Sequence, residues 1–147
     1  MSHVVDMKLH IKSLECLKLA GKALGMELVK VPNFKWFGKH VGDYPLPAGF
    51  TKQDMGKCDY ALRLKDNPNA YEIGVCKRRD GKPGYTLLWD FWQGGYGLQD
   101  VIGKEGGKIK QHYAYQMAKK QMQDEGCELE MKTKANGTMV LKARPTR

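Results

Sequence analysis

The stretch Tyr85-Thr86-Leu87-Leu88-Trp89-Asp90-Phe91-Trp92 limits the possible folds of this chain more than any other. Its side chains are mostly large and apolar, so leaving them in water would forfeit a large part of the available burial energy. Read as a strand, it sets Tyr85, Leu87, Trp89 and Phe91 on one face and Thr86, Leu88, Asp90 and Trp92 on the other. Both faces are largely apolar, which is the pattern of a central strand covered on two sides. Asp90 is the exception: a carboxylate flanked by Trp89 and Phe91 needs water, a cation or backbone donors. The expected donors are the amides of the glycine-rich turn at Gly94–Gly97, or a lysine.

The rest of the chain arranges itself around that strand. Val5, Met7, Leu9 and Ile11 alternate as a first strand, and Ser13 is placed to cap a helix with Leu14, Leu17, Ala20 and Leu24 on one side and Gly25 as its left-handed stop. Residues 26 to 31 read as a second strand ended by Pro32, and Phe34 to Gly38 as a third short extended piece. Residues 42 to 57 hold prolines and glycines without a period and read as a loop or insertion, a surface excursion pinned by Tyr44, Leu46 and Phe50. Cys58–Lys65, Tyr71–Cys76 and the aromatic strand follow as a meander, with the last turn at Asp80-Gly81-Lys82-Pro83-Gly84.

A long helix is expected from about Lys108 to Glu125, with Ile109, Tyr113, Ala114, Met117, Ala118 and Met122 as its apolar stripe. Leu87, Trp89, Phe91, Tyr113 and Met117 are therefore the expected heart of the core. The chain closes on a hairpin whose turn is Asn136-Gly137. A two-residue loop would set Met131 against Lys142 and mix the faces. A three-residue loop, Ala135-Asn136-Gly137, pairs Thr133 with Met139, Met131 with Leu141 and Leu129 with Ala143, and is the register expected. The fold class is α+β: a mostly antiparallel sheet with two helices on one face, in the order β-α-β-β-β-β-β-α-β-β, within a single domain over residues 1–147.

Composition excludes several function classes. The 147 residues suffice for a core without covalent staples, and the four cysteines and four histidines are too scattered to suggest a disulfide framework, a zinc site or any other metal site. No leader-like N-terminus and no run of eighteen apolar residues is present, so a cytoplasmic protein without a membrane span is expected. No nucleophile–base pair or paired acids stand at motif-like spacing, so no catalytic residue and no cofactor is expected.

Two basic groups could meet an anion, and the net charge of +9 favours such partners. Lys77, Arg78, Arg79 and Lys82 crowd the turn before the aromatic strand and could contact nucleic-acid phosphates, although a charged hairpin tip is more often simply solvated. Lys104, Gly106, Gly107, Lys108 and Lys110 stand at the start of the long helix, where glycines and a helix N-terminus can cradle a phosphate. The spacing is not that of a P-loop, and a flexible lead-in to the helix is the simpler alternative.

Several short motifs together resemble domain-of-unknown-function family 1257: Ser13-Leu14, Cys58-Asp59-Tyr60, Tyr71-Glu72-Ile73-Gly74, Leu88-Trp89-Asp90-Phe91-Trp92-Gln93-Gly94, Gln111-His112-Tyr113-Ala114 and the Asn136-Gly137 hairpin. That family includes a hypothetical chloroplast reading frame, with relatives in cyanobacteria, other bacteria and phages. The resemblance implies a small soluble protein without an established reaction. The family's genes tend to lie near those of AAA-type ATPases, which implies a protein partner. A non-enzymatic adaptor or binding module is thus the leading expectation. Nucleic-acid binding through the basic turn comes second, and a phosphate-ligand site or enzyme at residues 103–108 third.

Overall fold

A computed structural model describes residues 3–39, 41 and 44–145. Its elements are β1 (Val4–Ile11), α1 (Leu14–Ala23), β2 (Met26–Val29), β3 (Tyr60–Leu64), β4 (Ile73–Lys77), β5 (Tyr85–Asp90), α2 (Leu98–Ile102), α3 (Gly107–Asp124), β6 (Cys127–Thr133) and β7 (Met139–Pro145). The first five strands form one antiparallel sheet in the order β1-β5-β4-β3-β2, and β6 and β7 form a separate two-stranded sheet. The chain is therefore α+β, with β2 to β5 as a meander and β1 added beside β5.

The aromatic strand lies inside the sheet with both faces covered. Leu87 and Trp89 pack with Leu17 and Ala20 of α1 and Ile109 and Tyr113 of α3, while Tyr85, Phe91 and Met117 lie partly buried at the margin of that cluster. Leu88 faces a second cluster with Val4, Phe34, Phe50, Met55, Ala61 and Cys76. The segment between β2 and β3 supplies most of that second cover, so Phe50 and Met55 are buried although the stretch has no regular period. Leu46 is half-buried and Tyr44 is exposed; Gly42 and Asp43 of this segment lie outside the described residues.

Local chemistry explains the element boundaries. The Ser13 hydroxyl accepts the Cys16 amide at 3.1 Å and starts α1, and Gly25, at φ +73°, takes the left-handed conformation past its end. The expected strand at Phe34–Gly38 does not form. Asn33 makes one isolated bridge to Lys57, and the Lys35 amide is taken by the Glu72 carboxylate at 2.8 Å while the Lys35 carbonyl accepts the Glu72 amide at 2.9 Å. Phe34 instead lays its ring over Gly74, where any Cβ would collide with it. The aromatic strand also ends earlier than expected, at Asp90. Gln93 and Gly94 turn to positive φ, and the short helix α2, which the periodicity did not suggest, follows.

The closing hairpin adopts the three-residue loop, with Thr133 opposite Met139, Met131 opposite Leu141 and Leu129 opposite Ala143. Gly137 is left-handed at φ +86° and its amide donates to the Lys134 carbonyl at 2.9 Å. Of the expected stripe of α3, only Ile109 and Tyr113 are buried. In its later turns Met117 packs partly buried against the core, and from residue 114 to residue 145 no described side chain is fully buried. Among the described residues, no helix is long and apolar enough to cross a membrane.

Candidate functional site

Asp90 is fully buried at the end of β5, and it organises the surroundings of a cleft. One carboxylate oxygen accepts the amides of His3 and Trp92, both at 3.0 Å, and the other accepts the Phe37 amide at 3.1 Å. The donors are thus backbone amides as expected, but they do not come from the Gly94–Gly97 turn. Instead, the carboxylate ties the residue before β1, the covering segment and the turn after β5 to one point. Gln93, Tyr96 and the glycines of that turn adopt positive φ and face their amides elsewhere: the Gly94 amide donates to the Phe91 carbonyl at 2.9 Å and the Tyr96 amide to the Gln93 carbonyl at 3.2 Å, while the Gly95 carbonyl accepts the Tyr71 amide at 2.9 Å. Burial above all, then the Asp90 charge and Tyr96, pushes the Tyr71 phenol up to about 12.

The backbone anchored this way holds a group of rings at the surface. His3 stacks at 5.0 Å from Phe91, 5.2 Å from Tyr44 and 5.4 Å from Trp92, and Tyr44 meets Phe91 edge-on at 5.4 Å. Tyr44 and Phe91 then form part of the wall of a cleft of about 470 Å³. Val5, Met7 and Trp89 complete its apolar side, and Asp6, Lys8, Gln99, Lys104, Glu105 and Lys110 its polar side.

Two irregularities shape the cleft. The pairing of β1 with β5 shifts register between Asp6 and His10, and Lys8 there adopts φ +60°, a conformation costly for a residue with a side chain. The Asp6 carboxylate stabilises that bulge by accepting the Lys8 amide at 2.8 Å and the Thr86 hydroxyl at 3.3 Å. On the opposite side Glu105 (φ +57°) and Gly106 (φ +76°) turn the chain into α3. Gly106 is required on two counts, since a Cβ there would also run into the Met7 sulfur.

The two expected basic groups separate, one at each end of β5. At the α3 end, Lys104 and Lys110 reach the cleft, whereas the Lys108 ammonium donates to the Asp100 carbonyl at 3.4 Å, and Gly106 and Gly107 do not line the cleft. At the Tyr85 end, Arg78 is ion-paired with Asp80 and largely buried, with a side chain 11% exposed. Its hydrogen bond, followed by that from the Lys82 amide, holds the Asp80 carboxyl below the usual range. Arg79 stacks over the Phe50 ring at 4.5 Å. Of that group, Lys77, Arg79 and Lys82 are exposed, and Lys77 and Lys82 lie along a shallow groove of about 350 Å³. Charge reversal at Arg78 would lose the ion pair with Asp80, and at Arg79 the stacking on Phe50.

The remaining candidates are structural. Burial pushes the Cys58 and Cys76 thiols up to about 12, and they donate to the carbonyls of Val31 and Lys57, so both stay protonated at neutral pH. Burial lowers the His112 imidazole below its usual value. Among the described residues, no three His, Cys, Asp or Glu side chains come together as a metal site would need.

His3, Lys8, Tyr44 and Gln99 of this constellation were not identifiable as site residues from sequence. They come from segments far apart in the chain, and no periodicity or motif marked any of them. A family model described as "Protein of unknown function (DUF1257)" matches residues 43–141. No curated protein and no solved structure matches the chain.

Proposed function

Given that the chain belongs to the DUF1257 family of proteins of unknown function, we propose that it is a non-enzymatic adaptor that receives an extended segment of a partner protein in the Tyr44–Lys110 cleft. The observation that carries this reading is the position of the cleft: it runs beside β1, which among the described residues has no strand on its outer side, and combines apolar rings with charges of both signs. Lys8, Lys104 and Lys110 stand against Asp6 and Glu105, a balance that suits a peptide better than a polyphosphate chain. An open edge strand offers main-chain hydrogen bonds, and a neighbouring cleft supplies side-chain selectivity. The four free cysteines support a reducing compartment such as the cytoplasm as its setting. The family's gene neighbourhood makes an AAA-type ATPase one partner worth testing.

The second reading is nucleic-acid binding, favoured by Lys77 and Lys82 at the far groove and by the net charge of +9. One experiment separates the two: affinity capture from cell extract with the wild-type chain and a Tyr44→Ala/Lys110→Glu variant, each with and without nuclease. The adaptor reading expects a captured protein that survives nuclease and is lost with the cleft variant. Capture that nuclease abolishes, and that Lys77→Glu/Lys82→Glu weakens with a flatter salt dependence, would replace it with the nucleic-acid reading.

A further inference from the structure

The closing hairpin carries a charge pattern that its own chain uses only in part. Along β6, Glu128 and Glu130 precede Met131, and Lys132 and Lys134 follow it at the same spacing. Within the hairpin, Arg144 of β7 pairs with Glu128 at 3.1 Å and with Glu130 at 3.7 Å. Among the described residues, Lys132 and Lys134 have no ion-pair partner.

The backbone leaves the same strand open. The Lys134 amide donates to the Thr138 carbonyl at 2.8 Å, so residues 134 and 138 form a hydrogen-bonded pair of the ladder. Because such pairs alternate, Lys132, Glu130 and Glu128 also turn their amides and carbonyls toward β7. Cys127, Met131 and Thr133 then turn theirs outward, and among the described residues no backbone group meets those of Met131 or Thr133. Beside this free edge the hairpin exposes Met131, Val140 and Leu141, at 36%, 39% and 40%.

We infer that β6 is the dimerisation edge of this protein, and that its occupant is β6 of a second copy, antiparallel, with the two-fold axis at Met131. In that register Glu130 lies opposite Lys132 of the other copy and Glu128 opposite its Lys134, which gives four Glu–Lys pairs across the axis. These are the closely spaced, non-hydrogen-bonded positions, where side chains approach best. Met131, whose amide and carbonyl point outward, meets its own counterpart in the hydrogen-bonded geometry. Moving the axis by one residue sets Glu130 against Glu130 or Lys132 against Lys132 and leaves two Glu–Lys pairs instead of four, and moving it by two sets Glu128 against Glu130 or Lys132 against Lys134, so the register at Met131 has the best charge match. The β7 edge cannot substitute for β6: it contains no acid to answer Lys142 and Arg144, and Pro145 lacks an amide. The resulting four-stranded sheet also brings the exposed Met131 and Leu141 of both copies onto one surface, which reduces the apolar area each copy leaves in water.

The test is a charge swap on the full chain, read by sedimentation velocity and light scattering. The wild-type chain is expected at twice its 16.7 kDa mass at tens of micromolar, dissociating as salt is raised. Lys132→Glu/Lys134→Glu removes no ion pair within the chain and should be monomeric, as should Glu128→Lys/Glu130→Lys; an equimolar mixture of the two should restore the dimer. Because the glutamate substitutions also disturb Arg144, a cross-link gives an independent reading. In a Cys127→Ser background, Met131→Cys should form a disulfide-linked dimer on mild oxidation and Thr133→Cys should not, since only position 131 faces itself at a Cα separation of about 5.5 Å. A wild-type chain that stays monomeric would overturn the inference, as would a dimer indifferent to Lys132→Glu/Lys134→Glu or equal cross-linking at both positions.

Discussion

Asp90 shows how one buried carboxylate can order three separate stretches of chain. Its two oxygens accept three backbone amides and are fully shielded from water. In an Asp90→Asn variant the amide oxygen can keep the His3 and Trp92 donors, but its NH2 group must then face the Phe37 amide, donor against donor. The expected loss is about 1–3 kcal/mol in chemical denaturation, the cost of an unsatisfied buried polar group. Because the same carboxylate positions His3 and Phe91, the variant should also weaken whatever the cleft holds. An unchanged denaturation midpoint would show that Asp90 does not carry this load. That a carboxylate at this position would need backbone donors follows from its place between Trp89 and Phe91. Which amides supply them does not follow, because His3 and Phe37 are brought to it by the packing of remote segments.

Among the elements, β5 behaves as its composition demands. Trp89 is 3% exposed between the sheet and the helices, so Trp89→Ala should leave a cavity and cost about 3–5 kcal/mol, measured by urea unfolding. A loss under 1 kcal/mol would mean that α1 and α3 close onto the sheet without it. The helix α1 and the hairpin were legible for a different reason: a side-chain cap and a left-handed glycine act within a few residues and need no distant partner. The segment at 34–38 was not legible. Its pattern suits a strand, but its backbone groups are claimed by Glu72 and Gly56, and the room over Gly74 exists only once β4 is in place.

In the whole molecule, stability is unevenly distributed. The five-stranded sheet is covered on both faces, whereas the second half of α3 and the β6–β7 hairpin form an arm in which no described residue is fully buried. A two-stranded hairpin of this kind is marginal alone. In dilute, monomeric protein its amides should exchange with solvent well before those of β4 and β5, as hydrogen-exchange mass spectrometry would show. Uniform protection would contradict this division. The α+β class, the central strand, the α1 cap and the hairpin register were all determined by the sequence, because they rest on side-chain period and on turn chemistry spanning a few residues. The cleft, the separation of the two basic groups, the burial of most of Arg78 and the stacking of Arg79 on Phe50 were decided only by the tertiary structure. They depend on which segments lie beside each other once Leu88, Phe34 and Phe50 have been buried together, and burial is indifferent to distance along the chain.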